Sequence, residues 1–147
     1  MLTIVGARPD LPADLSPHIT VVGTLDKKVS RDAEEFQRLY LQSDFFIMTS
    51  QADSSPIVYC EAMAHGLPSL ATRTGGVASI VRAGENGELF DWSSNTAEQI
   101  AASVVSYRQD LTRYAKLCQD SRRLYESVYN WQTASARFND LLLQTVV

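Results

Sequence analysis

"DFFIMTSQADSSPIVYCEAMAHGLPSLAT", residues 44–72, is the stretch on which the fold turns. Its opening, "DFFIMTS" (44–50), is a short apolar run with aromatic and branched residues, which predicts a buried strand. "PIVYCEAMAHG" (56–66) begins on proline and ends on glycine, the punctuation of a short helix. "PSLAT" (68–72) then predicts a second strand. Strand, helix and strand in such close order make a parallel crossover unit. The helix carries one charged residue, Glu61. An isolated charge taken out of water costs several kcal/mol, so this carboxylate must be paired, neutralised or used.

The same alternation extends outward in both directions. "LTIVG" (2–6) and "HITVVG" (18–23) are brief, β-branched and closed by glycine, and predict two earlier strands. The Pro/Asp-rich segment between them is short for a crossover helix. "SRDAEEFQRLYLQS" (30–43) predicts a helix with Ser30 as N-cap and Phe36, Leu39 and Tyr40 on one face. After Gly75 and Gly76 come a short helix "VASIVRAG", the turn "GENG" and a last strand "ELFDW". From about Asn95 the pattern is helical only. The expectation is an α/β chain with a Rossmann-like, doubly wound parallel sheet and a helical C-terminal tail. It forms one domain over 1–147, about 1–92 α/β and about 95–147 helical.

Composition narrows the function. The chain has 147 residues, 45% of them hydrophobic, and a formal net charge of -4. Its basic residues form no block. Arg108, Arg113, Lys116, Arg122 and Arg123 interleave with Asp110, Asp120 and Glu126, which reads as a solvated helix face rather than a nucleic-acid surface. No apolar run approaches the ~20 residues that cross a bilayer, and the start lacks the basic n-region of a signal peptide. Cys60 and Cys118 read as reduced core thiols, and the compartment expected is the cytoplasm. There is no CxxC, no HExxH and no clustered histidine, so no metal site is expected. His65 reads as a helix-end surface residue.

The most informative position is the join between "DFFIMTS" and the helix near Pro56, because doubly wound sheets bind ligands at the C-terminal ends of their strands. Pro56 at the first helical position, with Ser54 or Ser55 as N-cap, would present free N–H groups and the positive end of the helix dipole to an anion. Asp53 lies just before that helix, and Glu61 lies roughly 7–8 Å beyond Pro56 along it. A diphosphate at the helix end with sugar hydroxyls offered to the two acids fits the spacing. Equally, Glu61 could pair with Arg73 while Asp53 serves as a turn residue.

A wider pattern bears on that choice. Asp53 and Glu61 are separated by seven residues, and Glu61 is followed by Ala62, Met63, Gly66, Pro68, Thr72, Gly75, Gly76, Gly84, Asn86 and Gly87. This order resembles the donor-binding segment of retaining GT-B glycosyltransferases, the group 1, glycogen-synthase-like and sucrose-synthase-like superfamily. The upstream "VVGTLDK" and the late "YNWQTASARFNDLL" are similar to further parts of that domain, so the likeness covers almost the whole chain.

The resemblance implies transfer of a sugar from a nucleotide diphosphate-sugar to an acceptor hydroxyl, with no cofactor and no metal. Glu61 would hold the nucleotide ribose and Asp53 would contact hydroxyls of the transferred sugar. Ser54, Ser55, Pro56 and Ile57 would surround sugar and phosphates, Thr24 and Leu25 would lie near the base, and Gly75 and Gly76 would allow a loop to pack beneath. The chain departs from the pattern at Asp53-Ser54-Ser55-Pro56, where Glu-Gly-Phe-Gly is usual. Relative to the family it starts one strand late, and it lacks the basic pair of the first helix and the N-terminal acceptor domain. The expectation is therefore a truncated donor half, inactive alone, whose parent works in polysaccharide or glycolipid assembly, at times peripherally at the inner membrane face. Its partners would be the nucleotide-sugar and the acceptor domain, with no nucleic acid. The apolar face of the last helix would favour self-association. The alternative is a non-catalytic nucleotide-sugar or phosphate-binding module, or a relative of the sugar-nucleotide epimerases.

Overall fold

The computed structural model describes residues 1–54 and 56–145. Five strands and six α-helices alternate as read from the sequence: β1 (Leu2–Val5), β2 (Ile19–Val22), α1 (Ser30–Gln42), β3 (Phe46–Met48), α2 (Val58–Ala64), β4 (Ser69–Thr72), α3 (Val77–Ile80), β5 (Gly87–Phe90), α4 (Thr96–Gln109), α5 (Leu111–Leu124) and α6 (Trp131–Thr145). All strand pairs are parallel. This is an α/β chain with a helical tail.

The expected single sheet is a different matter. The strands form two ladders, β1–β2 and β3–β4–β5, and the chain divides into two compact units, Met1–Gln42 and Ser43–Val147. Burial gives the physical reason. No residue of 1–42 is fully buried, whereas the buried core begins at Tyr59 and lies wholly in the second unit. A segment so short cannot enclose a core of its own.

In the first unit, β1 and β2 run in register from Leu2 opposite Ile19 to Val5 opposite Val22. The connection between them contains only a 3-10 turn at Ser16–His18, as its Pro/Asp content foretold. An Asp26 turn leads into α1: the Lys28 N–H donates to the Asp26 carboxylate at 2.9 Å, and Asp32 accepts the Asp26 N–H at 2.8 Å. Ser30 is thus the first helical residue rather than the cap. Phe36 and Tyr40 stack on one face of α1 with ring centroids 6.4 Å apart.

In the second unit β4 is the central strand and is buried along its whole length. Tyr59 and Met63 of α2, Ala71 of β4, Val77 and Ile80 of α3, Val81 and Leu124 of α5 form the core cluster. The helix α2 stops for a visible reason. Gly66 takes φ +68, its N–H bonds the Met63 carbonyl, and the Leu67 N–H bonds the Ala62 carbonyl, a Schellman cap followed by Pro68.

The "GENG" turn is also explicit. Gly84 has φ +76, and the buried Asn86 amide bonds the Ile80 carbonyl at 2.9 Å and the Arg82 N–H at 2.6 Å. The tail secures the N-terminal ends of the strands. Tyr114 donates to the Asp44 carbonyl at 2.8 Å, Ser121 to Leu67, and Arg122 to the end of α2 at Ala64. The C-terminal strand ends are left to loops. No helix among the described residues is long and apolar enough to cross a membrane.

Candidate functional site

The acid-bearing loop runs from the end of β3 to the start of α2, and a second loop after β4 holds it. Thr72 Oγ1 donates to the Ser50 carbonyl at 2.5 Å, and Thr74 Oγ1 donates to the Gln51 carbonyl at 2.8 Å. The Gly76 N–H donates to the Asp53 carbonyl at 3.2 Å. Gly75 sits beneath that carbonyl with φ +45, and a Cβ there would lie 1.9 Å from the Asp53 oxygen. Glycine is required here twice over, for its backbone angle and for the space. Gly75 and Gly76 therefore pack a loop under Asp53.

The start of α2 is described from Pro56 onward. The helix begins at Val58, with Ile57 ahead of it in the helical region (φ -62, ψ -21) and no side-chain cap. The Glu61 N–H donates to the Ile57 carbonyl at 3.1 Å, so Ile57 already takes part in the first helical turn. Pro56 accepts the Tyr59 N–H at 3.4 Å, a turn that leads into the helix. Ser54 lies in an exposed bend, and Ser55 falls outside the described residues. With seven residues α2 offers a short dipole, so an anion here needs the loop as well as the helix.

The opening puzzle about Glu61 has a geometric answer. Tyr59, Ala62 and Met63 are the buried face of α2, while Glu61 lies on its flank, half exposed. Asp53 is also half exposed. Arg73 meets Asp91, Nε to Oδ1 at 3.2 Å, with both side chains largely in water. His65 sits half-buried at the helix end, with Nδ1 2.9 Å from the Glu61 carbonyl.

Tyr59 is a site neighbour that sequence reasoning missed. Its hydroxyl donates to the Met48 carbonyl at 3.3 Å, fixing the end of β3. Burial pushes its phenol up to about 12, and the charge of Asp53 adds to that. Burial likewise raises the Cys60 thiol, helped by the Glu61 carboxylate beside it, so Cys60 is a neutral, half-buried thiol. Thr74 was missed too; a hydroxyl-bearing residue directly before a Gly-Gly pair was its only signal.

Thr24 and Leu25 belong to the first unit, at the C-terminal end of β2; Thr24 is exposed and Leu25 half-buried. Lys27, in the same loop, lays its ammonium 4.9 Å over the Phe36 ring. Among the described residues no three His, Cys, Asp or Glu side chains gather where they could hold a metal.

The family's sequence model, Glycosyl transferases group 1, matches residues 1–110. A D-inositol 3-phosphate glycosyltransferase of Thermobispora bispora is 27% identical over 95% of this chain and 32% of its own length. The spore coat protein SA of Bacillus subtilis is 30% identical over 78% of this chain and 29% of its own length. Among solved structures, Anabaena HepE in complex with UDP superimposes with a TM-score of 0.74 at 20% identity, over 89% of this chain and 34% of that one. The C-terminal domain of the group 1 glycosyl transferase LpcC of Francisella tularensis gives 0.67 at 25% identity, over 81% and 57%. The chain thus spans about a third of the curated relatives it matches. Its α/β architecture is that of the GT-B glycosyltransferases, and the chain belongs to the glycosyl transferases group 1.

Proposed function

We propose that this chain supplies the donor-binding part of a retaining glycosyltransferase, which moves a sugar from a nucleotide diphosphate-sugar to an acceptor hydroxyl. The observation that carries the reading is the Asp53 loop, clasped by Thr72, Thr74 and Gly76 at the C-terminal end of β3, with Glu61 on the next helix. Glu61 accepts the two ribose hydroxyls, a task suited to a half-exposed carboxylate. Asp53 accepts hydroxyls of the transferred sugar, and its charge favours the oxocarbenium-like transition state over the ground state. The backbone at Ser54, Pro56 and Ile57 lines the sugar and diphosphate. The nucleotide-sugar is a substrate, and the reading needs neither metal nor cofactor.

The diphosphate's charge must be offset by basic groups, and the acceptor must be held by protein. We assign both tasks to parts of the whole protein beyond these residues, because the matched relatives are about three times as long. Residues 1–147 on their own are therefore expected to lack transferase activity. The whole protein acts in the cytoplasm on this reading.

The test is a titration of the chain with UDP, GDP and ADP, following backbone amides by NMR, beside Glu61→Ala. Saturable shifts at residues 53–61 with one nucleotide, lost in the variant, support the assignment and name the base. Shifts in both proteins alike would remove Glu61 from the site. No shift at millimolar nucleotide would refute donor binding by this chain.

A further inference from the structure

We propose that Thr74 is a positioning residue for the transferred sugar: its hydroxyl, acting with Gly75 and Gly76, sets the height of the loop that carries Asp53. The inference rests on the donor-site reading and deepens it. The loop 50–53 is held at three points, all by the segment 72–76: Ser50 by Thr72, Gln51 by Thr74, and Asp53 by Gly76. The three points are not equivalent. Thr72 is 1% exposed and part of the central strand, and the Gly76 contact uses a backbone N–H that no side-chain change removes. The hydroxyl of Thr74 is half exposed and belongs to no strand or helix. Its bond to Gln51, at 2.8 Å, is therefore a contact whose loss leaves the core intact while releasing the loop two residues before Asp53.

The chemistry of that release is selective. Glu61 stands on α2, anchored through Tyr59 and Met63 in the core, so ribose binding does not depend on the clasp. Asp53 is held through the Gly76 N–H at its backbone carbonyl rather than through a core side chain. A loosened loop should thus weaken recognition of the sugar and spare recognition of the nucleotide. A residue that merely supported the fold would weaken both.

The experiment compares wild-type chain, Thr74→Val and Thr74→Ser. Valine keeps the shape and removes the donor; serine keeps the donor. Backbone 15N relaxation is measured first without ligand. The amides of Gln51, Ala52 and Asp53 should be ordered in wild type and Thr74→Ser, with order parameters near about 0.85. In Thr74→Val they should fall toward about 0.6. Each protein is then titrated with UDP, GDP and ADP and with UDP-glucose, GDP-mannose and ADP-glucose. For the matching pair, Thr74→Val should bind the sugar nucleotide roughly 2- to 10-fold more weakly, the worth of one lost hydrogen bond, with the free nucleotide unchanged and Thr74→Ser restored. An ordered loop in Thr74→Val overturns the clasp. Equal weakening for nucleotide and sugar nucleotide overturns the sugar assignment. If wild type binds no nucleotide of either set, the donor-site reading fails and takes the sugar assignment with it, while the order parameters still decide the clasp.

Discussion

Gly84 and Gly87 close the same turn for different reasons, and replacing each by alanine separates the two. At Gly87 a Cβ would lie 1.9 Å from the Ser69 carbonyl oxygen, 2.8 Å from its carbon and 2.9 Å from its nitrogen. These are backbone atoms of the central strand and cannot swing aside. Reaching ordinary contact at 3.4 Å requires β5 to retreat by 3.4 − 1.9 = 1.5 Å from β4. That movement breaks the Ser69 N–H bond to the Asn86 carbonyl (3.0 Å) and opens the β4–β5 ladder at its Ser69–Gly87 pair, inside the buried sheet. At about 1–3 kcal/mol for each buried group left unpaired, Gly87→Ala should cost about 3–5 kcal/mol, a large share of the stability of a small domain. Gly84 has φ +76 and nothing within 4 Å of a built Cβ, so Gly84→Ala pays only for the left-handed backbone, about 1–2 kcal/mol. Urea titration followed by circular dichroism gives both values. Thermal midpoints should fall by roughly 10–20 °C for Gly87→Ala and roughly 3–8 °C for Gly84→Ala. A Gly87→Ala protein within 1 kcal/mol of wild type on the order of the measurement error, or a reversed ranking, would refute the steric account.

Other expectations follow from the same geometry. Of the six tyrosines, Tyr59 and Tyr107 are pushed up to about 12, chiefly by burial, and Tyr114 is raised further. Phenolate absorbance should therefore show three tyrosines silent at pH 10 to 11, at roughly one unit above the usual phenol value, and stability should fall as pH rises past 10, since the unfolded phenols ionise first. Asp120 is held below its ordinary 3.8, first by its hydrogen bond to Lys116 and also by Arg123. Its contribution is complete above that ordinary value and is lost as pH drops through the folded one, so Asp120→Asn should flatten the acid side of a stability–pH curve. On α6, Trp131 (76% exposed), Phe138 (61%) and Leu143 (74%) stand in water, and sedimentation should show concentration-dependent association that Phe138→Glu reduces.

The sequence made the elements legible because its punctuation is physical. Gly66 and Pro68 end α2 where a Schellman cap requires them, and strands rich in branched residues lie where expected. What it could not show was long-range. Whether β2 continues into the β3 ladder depends on pairing, and nothing in "TVVG" states its neighbour. The helix start near Pro56 was legible from its proline, with Ile57 already helical, while the serine cap at Ser55 lies outside the described residues. Asp53 and Glu61 were legible as residues. The clasp beneath Asp53 was not, since it joins positions more than twenty apart in the chain.

That division says something about how the motif is built. Between Asp53 and Gly87 the side chains proposed to work on a ligand are the two acids. Tyr59 and Met63 seat the helix, Gly66 ends it, Thr72 to Gly76 hold the loop, and Asn86 with Gly84 and Gly87 closes the turn that lets β5 lie against β4. Gly66, Gly75 and Gly84 take left-handed backbone, and Gly75 and Gly87 lie against backbone atoms that a side chain would have to shift. The acids can therefore change identity, as Asp does here in place of Glu, while the frame around them stays fixed. On the proposed reading, a methylene less at Asp53 would withdraw the carboxylate from the sugar, and the clasp at Thr74 would keep that shorter reach in a constant place.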